Sequence, residues 1–181
     1  MKRVLLSAVL PFLASGALMS AADPTEASEK DKRFFQSVEG SWIGPGEIVA
    51  GKYKGTKFTC TFAGSTPTGK VGMALDGTCR VGMFTQRMSA SIEKRGNSYR
   101  GTFLDGAAGK GLDVIAGNVT GNKVVMSLNR SQLKGAMIAR VSGENQMVVT
   151  VSVKVEKEMV PVIGINLKRV DGGAVGSVAR N

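Results

Sequence analysis

Few residues in this 181-residue chain could carry chemistry. Histidine is absent, so neither a Ser-His-Asp nor a Cys-His relay can form, and no imidazole can bind zinc, copper or haem. Two cysteines are too few for a four-thiolate metal site. Acid–base catalysis by carboxylates needs two acids converging on one cleft. Asp76, Asp105 and Asp113 are the best placed, each in or near a glycine-rich segment, but turn chemistry and solvated strand faces account for all three. Lys110 lies in Asp-Gly-Ala-Ala-Gly-Lys-Gly, which superficially matches a phosphate-binding loop. Its glycines are too close together, Gly111 stands where Ser or Thr is required, and a strand pattern follows instead of a helix. The expectation is a non-enzyme with no catalytic set, no metal ligands and no cofactor.

The N-terminus reads as an address. Met1-Lys2-Arg3 is followed by an apolar run from Val4 to Leu18, interrupted by Pro11, and then by Ser20-Ala21-Ala22. This is the three-part layout of a secretory signal peptide over residues 1–22. The apolar run is shorter than the ~20 residues that span a bilayer as a helix. Its removal leaves 159 residues with a net charge of +8, and no later stretch is apolar enough to span a membrane. Export implies the periplasm or the exterior. In such an oxidising compartment, Cys60 and Cys79 read as a disulfide, with two free buried thiols as the alternative. Cys60 shares a face with Phe58 and Phe62, and Cys79 with Leu75, Gly77 and Val81, which predicts a hairpin with 60 opposite 79.

The elements that must position these residues are strands. Residues 23–33 are polar and aperiodic, and read as a flexible lead with one helical turn running into Phe34-Phe35. Thereafter apolar and polar residues alternate with period two, the mark of strands with one buried face. The pattern predicts strands over 41–50, 56–63, 71–81, 84–93, 98–104, 112–120, 123–129, 132–141, 147–155 and 159–170. Gly121-Asn122 is a two-residue hairpin signal. Short connections favour antiparallel pairing, and closure removes sticky edges. The expected domain over 34–170 is all-β: an antiparallel up-and-down barrel of about 8–10 strands behind a short helical lead. A β-sandwich is the alternative. Residues 171–181 read as a disordered tail. Lys57, Arg80, Arg87, Glu93, Arg100, Lys134, Arg140, Lys154 and Lys168 fall on the expected outer face. Basic residues cost about 2–4 kcal/mol each at a bilayer midplane, which argues against a membrane-spanning barrel.

The motif Gly40-Ser41-Trp42, after a short helical lead, resembles the start of lipocalins and other calycin-type barrels. The longer run Gly-Ser-Trp-Ile-Gly-Pro-Gly-Glu-Ile is similar to small secreted bacterial barrel proteins of unassigned role. The resemblance covers residues 34–170 and lacks the Thr-Asp-Tyr loop motif of typical lipocalins. It implies that Trp42 closes one barrel end and that Arg169, after the last strand, packs across it.

Partners follow from what the barrel encloses and what it shows to water. About eight strands already leave room for a small ligand. Met73, Met88, Met126 and Met137 fall on the inner set, where methionine suits adaptable packing or a greasy ligand. The positive charge favours an anionic surface. Aromatic content of 6% and cations scattered along all strands argue against nucleic acid. The expected function is an exported barrel that binds an apolar or amphipathic small molecule. The alternative is an exported protein-interaction module (an envelope factor, inhibitor or secreted effector acting on a host) that works through loops 64–70 and 105–111.

Overall fold

The structure, a computed structural model, describes residues 24–104 and 111–170. The leader, the tail at 171–181, and Asp105 and Lys110 lie outside the described residues. One helix, α1 (Pro24–Gln36), precedes ten strands. These are β1 (Gly40–Ile48), β2 (Lys57–Ser65), β3 (Gly72–Val81), β4 (Phe84–Arg95), β5 (Ser98–Leu104), β6 (Leu112–Thr120), β7 (Lys123–Arg130), β8 (Leu133–Ser142), β9 (Gln146–Val155) and β10 (Glu158–Val170). Each pairs antiparallel with its neighbour in sequence, and β10 returns to β1, so the meander closes into a barrel rather than stacking as two sheets. The lead is a 13-residue helix, longer than the single turn expected from its composition.

Period-two alternation becomes inside and outside of the barrel wall. Trp42, Phe62, Ile92, Tyr99, Val114, Met126, Leu128, Met147 and Leu167 point inward and are buried. The registers turn all nine expected outer charges outward. Tight hairpins hold the meander together: Gly121, at φ +57, takes the left-handed conformation that a Gly-Asn turn needs. Pro161 cannot donate a ladder hydrogen bond, and β10 shifts register between Pro161 and Ile163. Bulges of this kind let a sheet curve tightly enough to close.

The two ends of the barrel differ. The β2–β3, β4–β5, β6–β7 and β8–β9 connections lie at one end, and α1 covers it. Phe34 and Phe35 on the helix and Val38 in the turn after it are all buried, and burial of this kind is worth about 1.5–3 kcal/mol for each large apolar side chain. The Phe35 and Tyr99 rings meet at 5.3 Å. The β1–β2, β3–β4, β5–β6, β7–β8 and β9–β10 connections form the opposite end, which we call the mouth.

Cys60 on β2 and Cys79 on β3 are direct partners with Cα atoms 4.0 Å apart, their sulfurs joined inside the barrel. The crosslink spans 19 residues, and a loop of that size contributes about 3 kcal/mol in the chain-entropy account. Reduction, or the double substitution Cys60→Ala/Cys79→Ala, is therefore expected to lower unfolding free energy by about 3 kcal/mol in a urea titration, with strand content unchanged by circular dichroism.

Candidate functional site

The plugged end is tied by two polar knots. Arg169, at the end of β10, stacks on Trp42 with its guanidinium carbon 4.3 Å from the indole centroid. Its Nε donates to the Glu144 carbonyl at 2.8 Å, one terminal nitrogen donates to the Ser37 carbonyl at 2.7 Å, and the other donates to the Glu39 carbonyl. Trp42 is fully buried, and its indole N–H donates to the Val38 carbonyl at 2.9 Å. These carbonyls follow the C-terminus of α1, where the helix dipole also favours a cation. Arg169 thus joins helix, last strand and β8–β9 turn. The chemistry here is structural: its donors are spent on backbone.

The second knot joins α1 to the wall. Asp31 accepts at one carboxylate oxygen from both Lys94 Nζ and Tyr99 Oη, each at 2.7 Å. Asp31 lies in the segment whose composition reads as a flexible lead, so sequence alone gave it no role. The available signal was spacing: residues 31, 34 and 35 share one helical face. Burial, reinforced by the Asp31 carboxylate, pushes the Tyr99 hydroxyl above the ordinary tyrosine value. At the surface nearby, a hydrogen bond from Lys70 holds the Glu93 carboxyl below its usual value.

Above this plugged layer the lumen changes character. Inward-facing Phe58, Leu75, Met88, Leu112, Met137, Val149, Val151 and Ile163 are only partly buried. Further toward the mouth, Val81, Phe84, Leu133 and Val155 keep the inward register yet are exposed. The described inner wall is therefore packed at the helix end and increasingly exposed, and still apolar, toward the mouth. A Cβ on Gly46 would collide with the Phe58 ring, and one on Gly117 with the Met126 sulfur, so these large side chains lie flat against bare backbone. Three polar side chains share the inner register near the lip, Gln86 on β4, Arg130 on β7 and Glu158 on β10.

The four methionines divide between these levels. Met88 and Met137 are partly buried in the inward register beyond the packed layer. Met126 is fully buried in the packed layer, and Met73 sits beside Ile92 near the plugged end. The Met88 sulfur lies 3.0 Å from Cys79 Sγ, a contact between two sulfurs because the disulfide leaves no thiol proton to donate. The structure does not bring the acids together. Asp76 and Asp113 stand exposed on the outer wall, on β3 and β6, with β4 and β5 between them. Among the described residues, no group of three metal-ligating side chains converges. Two grooves flank α1 outside the lumen. One, of about 230 Å³, lies against Thr66–Lys70; the other, of about 430 Å³, lies against Gly121, Asn122 and Gly143.

Two outcomes follow from the knots. Arg169→Met should cost about 3 kcal/mol, since it strands backbone carbonyls and removes the cation from the indole face. Emission from Trp42, the single tryptophan, should then shift to longer wavelength. For Tyr99, the unfolded chain ionises near the ordinary value of 10.0, while the folded state holds its proton to higher pH. Stability is thus intact below pH 10.0 and declines as pH rises above it, because the unfolded state then binds fewer protons than the folded state. Melting temperatures measured across this range should fall more steeply for the native sequence than for Tyr99→Phe.

No protein-family profile and no curated protein matches the chain. Nineteen solved chains match it in structure. One is Rv2717c from M. tuberculosis, at 12% identity and a TM-score of 0.55, covering 78% of this chain and 98% of that one. Another is a protein of unknown function from the DUF3598 family of Nostoc punctiforme, at 12% identity and a TM-score of 0.48, covering 75% and 48%. At this identity the likeness to Rv2717c is one of fold alone and assigns the chain to no family.

Proposed function

We propose that this chain is an exported, non-enzymatic barrel that holds an apolar or amphipathic small molecule in its open cup. The observation that carries this reading is the gradient along the lumen: apolar side chains in the inward register pass from fully buried near Trp42 to solvent-accessible toward the mouth. Apolar surface that faces inward and stays wet is stabilised by a ligand that displaces its water. Met88 and Met137 supply adaptable, polarisable lining. Gln86 near the lip suits the polar head of an amphipathic molecule whose tail points toward Trp42. The leader supports export, and the joined pair Cys60–Cys79 suits an oxidising compartment.

The test is displacement of a fluorescent fatty acid. The native protein should bind the probe, and Val151→Trp, which fills the cup opposite Met137, should weaken binding at least tenfold while the fold persists by circular dichroism. A native protein that takes up no probe removes the reading, as does equal binding by Val151→Trp.

A further inference from the structure

Large apolar side chains exposed on the described residues concentrate at one end of the barrel. Val49, Tyr53, Val81, Met83, Phe84, Leu104, Leu133, Val155 and Met159 all lie at or beside the mouth connections, whereas Ile43, Ile115, Ile138 and Val148 are dispersed on the wall. Each of the five mouth connections, or a strand end flanking it, contributes at least one. At the tips, Met83 is 94% exposed, Phe84 82% and Tyr53 63%. The turns at the plugged end are made instead of Thr66–Lys70, Gly96-Asn97, Gly121-Asn122 and Gly143-Glu144-Asn145, with no exposed large apolar residue among them.

A ring of cations accompanies the apolar tips. Among the described residues, Lys52, Lys54, Lys57, Arg80, Lys134, Lys154 and Lys157 are exposed around the mouth, and outnumber the acids there, Glu47, Asp113, Glu156 and Glu158. Lys52 also lies over the Tyr53 ring at 5.5 Å, so cation and aromatic project together. We infer that the mouth docks on an anionic lipid bilayer, with Met83, Phe84 and Tyr53 entering the interfacial zone and the lysines and arginines meeting the headgroups.

Shape and charge together choose this partner. The described tips stand on separate connections and strand ends, so a deformable apolar phase can cover each of them at once. The cations nearby match a layer of phosphates, as on amphipathic surfaces that lie in a membrane interface. Tyrosine at the boundary fits the same zone. Both ends of the described barrel, α1 and Val170, lie at the plugged side, which leaves the described mouth uncovered by either. The docking does not depend on whether the cup holds a ligand.

Co-sedimentation of the full chain with vesicles tests it. Binding to phosphatidylglycerol vesicles should exceed binding to phosphatidylcholine vesicles at least tenfold at low salt, and should weaken as salt rises. Met83→Ser/Phe84→Ser should lose at least tenfold, and Lys52→Glu/Lys54→Glu a similar factor together with part of the salt dependence. The wall variant Ile138→Ser/Val148→Ser should bind as the native chain does. Unchanged Trp42 emission verifies the fold in each variant. Equal binding to both lipids overturns the inference. So does native-like binding by Met83→Ser/Phe84→Ser, the result expected if the apolar N-terminal run were the anchor. Self-association without lipid that this same variant abolishes would give the mouth to a second copy of the chain, and overturns it too.

Discussion

The pairing of β1 with β10 is the constraint from which the remaining architecture follows. Every other strand contact is between neighbours in sequence, so without this one the sheet would keep two open edges. The pairing sets Trp42 opposite Arg169, and that register serves a second purpose. It places a cation within reach of the helix end, the β8–β9 turn and the indole face at once. Closing the sheet and plugging one end are therefore a single event. Because one end is plugged, the apolar inner wall is packed there and left uncovered at the other.

Much of this was legible in the sequence because alternation survives in almost every strand. Met147 to Val155 reads inward at every second residue, and the structure keeps that register along the whole of the β8 pairing and along β10 up to the shift at Pro161. The opposition of 60 and 79 followed from the apolar partners on each side, and the barrel-end pair from Gly40-Ser41-Trp42 with Arg169. The helix was harder. Its charged residues give no period-two signal, and its short apolar face is completed by Asp31, which no hydrophobic pattern marks. Lys94 illustrates the same difficulty: on a strand whose outer face carries Arg87, Glu93 and Arg95, it instead occupies the inner register and turns to Asp31.

Ligand space was the least legible property, because it depends on how side chains share a volume. Four methionines of one inner set look equivalent in the sequence, yet Met126 is locked against Gly117 while Met88 and Met137 remain accessible. Glycine is ambiguous in the same way. In a strand it can mark a bend, a weak point or a berth, and only the facing residue decides; at Gly46 it is a berth for Phe58. The mouth escaped notice for a related reason. Its apolar tips are single residues scattered over a long stretch of chain, and only closure of the barrel gathers them.

The described chain enters through α1 and leaves from Val170, both on the side sealed by Trp42 and Arg169. An affinity tag, a surface tether or a fused reporter joined directly to the described ends, at Pro24 or Val170, would start from the sealed side, away from the opposite rim. Immobilised in that orientation, the barrel would stand with its opening toward the solution, so access to the interior could be measured without the attachment standing in the way.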